Sequence, residues 1–302
     1  MHTVLITGGT GFIGSHLIPR LLADGWHVEV LTRDTARARR GLPEAAVALA
    51  SLDQASEPGA IINLAGENLS GKRWSAAQKR ELMESRQRTT RDLIAFIGRC
   101  SRPPDVLISG SAVGFYGACG SRPVDERSSM GDEFQARLCA DWESEALPAR
   151  DVHGVRVCLI RTGIVLGNDG GALAQMLTPF KFGLGGAFGD GSQYMPWIHI
   201  RDEVGAIRFL LRNEACHGAY NLTAPQPVTN KRFATTLARV LRRPAVMRVP
   251  ASVLQLLLGE MARLVLTGQR AVPNALQQAG YEFAFDDPEA ALRDLLGSSD
   301  VR

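Results

Sequence analysis

The apolar positions of this chain form short runs that alternate with amphipathic segments. The runs lie at Thr3–Ile6, His27–Leu31, Ala60–Leu64, Val106–Ser109 and Val155–Ile160. Strands that are apolar throughout are buried on both faces, which is typical of a parallel sheet covered by helices on both sides. The pattern therefore predicts an α/β protein with a doubly wound parallel sheet.

The segments between the runs predict helices of unequal length. The longest is expected from Ser75 to Cys100 and begins with a capping-box pattern, in which Gln78 follows Ser75 by three residues. Two others are predicted near Asp132–Leu147 and Asp202–Leu211. Residues 33–60 leave little room for a full helix, so the connection there is expected to be short or degenerate.

The first apolar run leads directly into a glycine-rich turn, and residues 8–14 read G-G-T-G-F-I-G. Glycines in this spacing let the backbone turn sharply and approach a pyrophosphate, which binds the N–H groups at the start of the following helix. The sequence therefore predicts a dinucleotide site of the Rossmann type, with a plain tight turn as the alternative. The predicted contacts in this turn are Gly8, Gly11, Phe12, Ile13 and Gly14.

The chain changes character after about residue 163, where glycines become frequent. A strand near Ala219–Leu222 returns the chain to the sheet, and residues 245–302 are predicted to be mostly helical. Asp287-Pro288 can start the last helix, since proline at the first helical position loses no needed hydrogen bond. We expect a Rossmann-type domain over residues 1–165, with its sheet completed by about 199–225. Residues 166–302 then form a smaller, mostly helical substrate-side and C-terminal part.

Composition excludes several classes of protein. The 45% of hydrophobic and 22% of charged residues are ordinary for a globular protein, and a net charge of +3 is too small to indicate a nucleic-acid partner. The five cysteines are scattered without metal-ligand spacing, so we expect no metal site and a reducing, cytoplasmic environment. We expect no signal peptide, since an apolar strand is predicted from Thr3, and no stretch reaches the roughly 18 apolar residues of a membrane span.

Several motifs together resemble those of extended short-chain dehydrogenases/reductases of the nucleoside-diphosphate-sugar epimerase type. These are Thr7–Gly14, Asn63–Gly66, Ser109–Ala112 before Tyr116-Gly117, Arg161–Gly167, Gly189–Gly191 and Trp197–Asp202. More narrowly, the chain is similar to an atypical subfamily of "epimerase family proteins" with a C-terminal domain of unknown function. The segments that carry this likeness are Asn63–Asn68, Phe180–Gly186, Pro196–Ile200, Gly259–Met261 and Gly268–Arg270. The resemblance implies a nicotinamide dinucleotide cofactor, with contacts from Leu64, Ala65 and Gly66.

The end of the second strand distinguishes NAD from NADP. An NAD site usually has an acidic residue there, which accepts a hydrogen bond from the ribose 2′-OH. Thr32 and Arg33 occupy this place, and a guanidinium can bind a 2′-phosphate by charge-assisted hydrogen bonds. Asp34 is the competing candidate, and a solvated strand end is the alternative for Arg33. We predict NADP(H).

Arg86 is a further cofactor candidate, because it lies on the apolar stripe of the long predicted helix with Leu82 and Leu93. A guanidinium there needs an anionic or carbonyl partner, since an unpaired buried charge is costly. The subfamily resemblance implies that Glu81 and Arg86 line the cofactor cleft. A structural ion pair between Arg86 and a carboxylate is the alternative.

Members of the family that this chain resembles use a serine with a Tyr-x-x-x-Lys pair. The tyrosine exchanges a proton with the substrate, and the lysine lowers the tyrosine pKa and holds the nicotinamide ribose. Ser111 matches the serine, but counting back from Glu143 places Gln135 at the tyrosine position and Cys139 at the lysine position. An amide does not titrate, and a packed thiol is the expected state of Cys139.

Tyr116 is the first candidate for the missing proton transfer, because it follows Ser111 and is expected at the mouth of the cleft, with packing as a lid residue as the alternative. Glu67, His199 and Cys119 rank behind it, and a structural role is expected for His199. In nucleotide-sugar-binding members an arginine often follows Gly-x-Gly. None occurs in Ser192–Pro196, which argues against such a substrate.

Two function classes remain from the sequence. The leading one is an NADP(H)-dependent oxidoreductase or epimerase acting on a small polar molecule, with Ser111 orienting the substrate oxygen and Tyr116 or a water relaying the proton. The competing class is a non-catalytic NADP(H)-binding redox sensor, which the missing Tyr and Lys favour; a purely structural scaffold is a third option. No nucleic-acid or membrane partner is expected, and the protein is expected to be a monomer or homodimer.

Overall fold

The computed structural model of the chain describes residues 2–69, 71–244 and 247–297. Strands and helices alternate through the first half, as the apolar pattern predicts. They are β1 (Thr3–Thr7), α1 (Phe12–Ala23), β2 (His27–Leu31), α2 (Thr35–Gly41), β3 (Val47–Leu49), β4 (Ala60–Asn63), α3 (Ala76–Ile97), β5 (Val106–Ala112), β6 (Pro123–Val124), α4 (Phe134–Ala146), α5 (Pro148–Asp151) and β7 (Arg156–Thr162).

The second half contains shorter strands between its helices. They are β8 (Ile164–Leu166), α6 (Gly171–Lys181), β9 (Gly186–Phe188), β10 (Tyr194–Met195), β11 (Trp197–His199), α7 (Ile200–Arg212), β12 (Gly218–Leu222), β13 (Val228–Thr229), α8 (Asn230–Val240), β14 (Met247–Val249), α9 (Ala251–Leu258), α10 (Arg263–Leu266), β15 (Arg270–Ala271), α11 (Asn274–Gln278) and α12 (Pro288–Leu296).

Seven strands form one parallel sheet in the order β3-β2-β1-β4-β5-β7-β12. The chain moves outward from β1 to β3 on one side, then crosses to β4 and continues in the opposite direction. This reversal leaves a crevice outside the carboxyl ends of β1 and β4, where ligands bind in sheets of this kind. The predicted fold class, a doubly wound Rossmann-type sheet with a smaller, mostly helical C-terminal part, is confirmed.

Alternate residues of each central strand pack into separate cores on the two faces of the sheet. On β1, Ile6 joins a cluster with Leu17 of α1 and Ile207 of α7. Its neighbour Leu5 joins another with Leu93 of α3. Helices therefore cover both faces, which explains why the strands read as continuous apolar runs.

Helix starts agree with the expected capping residues. The Ser75 hydroxyl accepts from the N–H of Gln78 at 3.1 Å, and the carboxylate of Asp287 accepts from two N–H groups in the first turn of α12. The N–H of Ser75 donates to the carbonyl of Arg73, so only one half of the predicted capping box forms. The connection within residues 33–60 is short, as predicted, because α2 has only seven residues.

The C-terminal part contacts the segment between β5 and α4. Strand β15 pairs with β6, and the side chain of Gln269 donates to the carbonyl of Gly117 at 2.6 Å. Within the region predicted to be mostly helical, residues 245–246 and 298–302 lie outside the described residues; the remainder is α9–α12 with β14 and β15. No helix in the described part of the chain is long and apolar enough to cross a membrane.

Glu203 is a carboxyl group buried in the first turn of α7. Its side chain is 0% exposed, accepts one hydrogen bond from Thr162 at 2.9 Å, and has a second oxygen without a hydrogen-bond partner. Burial raises the pKa of Glu203 to about 8, although the bond from Thr162 opposes this shift.

We predict that Glu203→Gln changes how stability depends on pH. Between pH 4.5, the ordinary pKa of the carboxyl, and pH 8, the folded protein holds a proton that the unfolded chain releases, so parent stability falls as pH rises. One such proton contributes at most about 1.4 kcal/mol per pH unit. The thermal midpoint of Glu203→Gln should therefore rise relative to the parent between pH 5 and 8. Glu214→Gln changes an exposed carboxyl beyond α7, so its thermal midpoint should change with pH as that of the parent does. The same pH dependence in Glu203→Gln as in the parent would contradict the raised pKa of Glu203.

Candidate functional site

The glycine turn after β1 is shaped by close backbone contacts. Gly8 has a φ of +71°, and a Cβ there would lie 2.6 Å from the carbonyl carbon of Leu64. A Cβ on Gly14 would lie 2.5 Å from the carbonyl oxygen of Gly9, so α1 packs directly against the turn. Both positions require glycine because any side chain would collide with backbone.

Gly11 differs from its neighbours in this turn. A Cβ there would have only the carbonyl oxygen of Gly8 within 4 Å, at 3.2 Å. Gly11 is also the residue before α1, and no side chain caps the first N–H groups of that helix. The first N–H groups of a helix have no intrahelical partner, so the turn offers open space beside Phe12, Ile13 and Gly14 of the kind that binds phosphate. The residues present therefore fit a dinucleotide pyrophosphate.

The end of β2 meets the requirements of an NADP site. The carboxylate of Asp34 accepts from the N–H of Arg37 at 2.9 Å and caps α2. The hydroxyl of Thr32 accepts from the N–H of Asp34 at 3.3 Å, while Arg33 is exposed. Asp34 is thus engaged as a helix cap, which leaves Arg33 as the side chain at this strand end that could meet a ribose phosphate.

The loop after β4 is anchored by buried polar side chains. Thr7 of β1 donates to the side-chain oxygen of Asn63 at 2.7 Å and accepts from the N–H of Ala65 at 3.3 Å. The Asn63 amide donates in turn to Thr90 of α3 at 2.9 Å. These bonds hold Leu64–Gly66 beside the glycine turn, at the crevice where the resemblance predicts cofactor contacts.

Arg86 is buried beneath this loop, with 7% of its surface exposed. Its guanidinium donates to the carbonyls of Leu82 and Glu67, both at 3.0 Å, and lies 5.1 Å from the centre of the Trp142 ring. No carboxylate of the described residues lies within ion-pair distance, so the carboxylate pair considered for it does not form. Burial lowers the pKa of Arg86, and the nearby Cys139 and Glu67 oppose that shift.

Glu81, predicted with Arg86 from the resemblance, lies nearer the solvent. Its side chain is exposed, and its carboxylate is 3.8 Å from the ammonium of Lys72 in the loop after β4. Glu81 and Arg86 thus lie on the same helix in different environments, one exposed and one buried, and a place for Glu81 in the cofactor cleft stays a prediction.

Ser111 lies at the centre of a buried hydrogen-bond network. Its hydroxyl donates to Glu143 of α4 at 2.6 Å, and Glu143 forms a two-pronged ion pair with Arg161 of β7, each N–O distance being 2.8 Å. Ser111 and Arg161 are paired neighbours on β5 and β7. Burial alone would lower the pKa of Arg161, but the bonds to Glu143 raise it above its ordinary value.

The prediction that Tyr116 lies at the mouth of the cleft is wrong. Tyr116 ends a 3₁₀ turn after β5, is 3% exposed, and its hydroxyl donates to Asn221 at 2.7 Å and accepts from Arg161 at 3.0 Å. Burial raises the pKa of Tyr116 to about 12, against the effect of Arg161. The phenol thus remains protonated at neutral pH, with its hydrogen bonds made inside the protein. A catalytic role for Ser111 or Tyr116 stays a prediction.

Gln135 and Cys139 both face the end of β5, as the count along α4 predicts. Both are buried, and a Cβ on Gly114 would lie 3.5 Å from the Gln135 side chain and 3.8 Å from the Cys139 sulfur. Burial, then the charge of Glu143, raises the pKa of Cys139 to about 11, so the group is a neutral thiol. The expectation of a packed thiol is confirmed.

The other proton-transfer candidates have separate surroundings. Glu67 is half-buried in the loop after β4. Cys119 is half-buried with its sulfur 3.2 Å from the carbonyl of Tyr116, and burial raises its pKa. His199 caps α7 by accepting from the N–H of Arg201 at 3.0 Å and stacks on Phe285, so its predicted structural role is confirmed.

Sequence reasoning missed the roles of Glu143, Arg161 and Asn221. The sequence does contain a pattern that could have indicated them. On one face of the sheet, the side chains change from apolar to polar at the carboxyl ends of the strands. Leu159 is followed by Arg161 two residues later, and in the neighbouring strand Ala219 is followed by Asn221. Because side chains two apart lie on the same face, these polar groups gather at one edge of the sheet.

Two family descriptions match the chain. The NAD dependent epimerase/dehydratase family matches residues 4–223, and a domain of unknown function, DUF1731, matches residues 249–295. The chain belongs to the NAD dependent epimerase/dehydratase family. The C-terminal match also agrees with the predicted subfamily.

Relatives and solved structures extend this likeness over the whole chain. The epimerase family protein SDR39U1 homolog, chloroplastic, of Arabidopsis thaliana is 40% identical and covers 97% of this chain and 86% of the relative. The human epimerase family protein SDR39U1 is 37% identical, over 97% and 99% of the two chains. A crystal structure of human SDR39U1 with NADPH has a TM-score of 0.89 at 34% identity, covering 97% and 98%. A UDP-galactose 4-epimerase structure, with a TM-score of 0.74 at 18% identity, shares the fold.

We predict that Gly11→Val abolishes dinucleotide binding without unfolding the protein. The valine side chain would enter the open space beside the first turn of α1, which a pyrophosphate would otherwise occupy. The measurement is calorimetric titration with NADPH alongside far-ultraviolet circular dichroism. Gly41→Val, at an open position at the end of α2, is the control and should bind as the parent does. Binding by a folded Gly11→Val variant would mean that the turn does not hold phosphate.

Proposed function

We propose that this protein binds NADP(H) and acts as an oxidoreductase or epimerase on a small polar molecule. The observation that carries the cofactor choice is the end of β2, where Asp34 is engaged as a helix cap and Arg33 is exposed. The likeness to human SDR39U1, crystallised with NADPH, supports the same choice. When bound, this cofactor supplies or accepts a hydride at its nicotinamide ring.

The residues proposed to hold the cofactor surround the crevice between β1 and β4. The glycine turn with Phe12 and Ile13 would bind the pyrophosphate, and Thr32 with Arg33 would bind the 2′-phosphate. Leu64, Ala65 and Gly66 would contact the cofactor from the loop after β4, and Glu81 and Arg86 would line the same side of the crevice.

Ser111 is the stronger of the two proposed catalytic residues. Its hydroxyl donates a hydrogen bond to the carboxylate of Glu143, which also accepts from Arg161. Ser111 therefore presents lone pairs and suits a substrate hydroxyl, which donates. For Tyr116 to relay a proton, its hydroxyl has to leave Asn221.

A second candidate function is a non-catalytic NADP(H)-binding sensor. It is favoured by the replacement of the family's Tyr and Lys with Gln135 and Cys139, and by the internal hydrogen bonds of Ser111 and Tyr116. In such a protein, oxidised and reduced cofactor must interact differently with two states of the protein or with a partner. Cytoplasmic location and the monomer-or-homodimer state stay predictions.

Cofactor preference tests the assignment of Arg33. We predict tighter binding of NADPH than of NADH, and loss or reversal of this preference in Arg33→Asp, because a carboxylate repels the 2′-phosphate. Calorimetric titration of both cofactors gives the two dissociation constants. Arg102→Asp makes the same charge change at an exposed site before β5 and should keep the parent's preference. Equal affinities in the parent would rule out the assignment.

Turnover separates the two candidate functions. For an oxidoreductase, some member of a panel of carbonyl and hydroxy compounds should change the cofactor's absorbance at 340 nm. An epimerase returns the hydride to the same molecule and causes no net absorbance change, so its turnover is followed as formation of the second epimer by nuclear magnetic resonance or chromatography. Ser111→Ala should then slow turnover by about 10²–10⁴-fold with little change in NADPH affinity, and Tyr116→Phe should do the same if it relays the proton. For a sensor, no compound turns over and NADP⁺ and NADPH bind with unequal affinity. Unchanged turnover in both variants would show that neither Ser111 nor Tyr116 is catalytic.

A further inference from the structure

Arg86 has an unbalanced charge within the fold. Its two described hydrogen bonds go to neutral carbonyls, and they use two of the five N–H groups of a guanidinium. Of the two groups that oppose the lowering of its pKa, Glu67 lies beyond ion-pair distance and Cys139 is a neutral thiol at neutral pH. A buried cation of this kind is stabilised by a ligand that brings oxygen lone pairs or negative charge.

The position of Arg86 identifies the half of the cofactor that it faces. A Cβ on Gly66, just after β4, would lie 2.9 Å from the guanidinium carbon, which also lies 5.1 Å from the centre of the Trp142 ring of α4. Arg33, by contrast, lies at the end of β2, and β1 separates β2 from β4. A dinucleotide with its pyrophosphate at the start of α1 places its adenosine half over β2 and its other half over β4 and β5. Arg86 is thus on the nicotinamide side.

Cys139 of α4 links Arg86 to the position of the family's lysine. Cys139 stands at the counted position of the family's lysine, and it lies close enough to Arg86 for each to affect the other electrostatically. The same cysteine lies beside the end of β5, where a Cβ on Gly114 would be 3.8 Å from its sulfur. Arg86, on a different helix, therefore brings a positive charge to the place where α4 provides none.

We propose that Arg86 is the cation that binds the nicotinamide ribose, in place of the lysine whose position Cys139 occupies. This inference rests on the proposed binding of NADP(H). In this proposal Arg86 binds the ribose hydroxyls of the nicotinamide half, and Arg33 binds the 2′-phosphate.

A cofactor fragment tests this division, because 2′,5′-ADP carries the 2′-phosphate but lacks the nicotinamide nucleoside. Dissociation constants for NADPH and 2′,5′-ADP are measured by calorimetry for the parent, Arg86→Met and Arg33→Met. Arg86→Met should weaken the binding of NADPH by roughly ten- to a hundredfold, the usual range for a hydrogen bond to a charged group. Its dissociation constant for 2′,5′-ADP should stay within about twofold of that of the parent. Arg33→Met should weaken both ligands. Equal weakening of both ligands by Arg86→Met, or no effect on either, would overturn the proposal.

Moving the charge provides a second test that does not depend on Arg86→Met folding. In an Arg86→Gln background, Cys139→Lys restores a cation from α4 and should recover NADPH affinity while 2′,5′-ADP stays constant. In the parent background Cys139→Lys places two cations together and should lower the thermal midpoint. No recovery in the double variant would count against the proposal. If the parent binds 2′,5′-ADP and NADPH but the variants do not lose and regain NADPH affinity as described, only the role of Arg86 is contradicted. If the parent binds neither ligand, the proposed function is contradicted as well.

Discussion

The ion pair between Glu143 and Arg161 is the interaction on which the rest of the site depends. Both side chains are at least nine-tenths buried, and their two hydrogen bonds join α4 to β7. Removing one member of a buried pair leaves an uncompensated charge and typically costs about 3–5 kcal/mol, so neither can change alone. The pair also fixes Ser111, which donates to the carboxylate, and Tyr116, which accepts from the guanidinium.

The same network joins the sheet to the C-terminal part. Tyr116 donates to Asn221 of β12, and the Asn221 amide donates to the carbonyl of Val272 just after β15. Glu126 accepts from the N–H groups of Asn221 and Ala275, so it connects β12 with the start of α11. The segment after β15 is therefore bound to the end of the sheet, and the C-terminal part contributes directly to the surroundings of Tyr116.

The fold was predictable from sequence because its signals are local. Continuous apolar runs give the buried parallel strands, and capping residues such as Ser75 and Asp287 give the helix starts. The site was only partly predictable. The glycine turn and the count that places Cys139 beside β5 follow from spacing, but charged residues such as Glu143 and Arg161 are ordinarily expected at the surface. Their burial depends on how α4 packs across β5 and β7, and a 3₁₀ turn directs Tyr116 inward rather than into the cleft.

The two buried arginines Arg86 and Arg161 differ in a way that bears on function. Arg161 has its counter-ion within the fold, and its bonds to Glu143 raise its pKa. Arg86 is equally buried, but its two described hydrogen bonds go only to backbone carbonyls, and burial lowers its pKa. A charge that the fold already neutralises gains little from a ligand, whereas one held only by neutral groups gains much. The hydroxyls of Ser111 and Tyr116 lie with Arg161 in the closed network, whereas Arg86 is the charge on this side of the crevice that we propose a ligand meets.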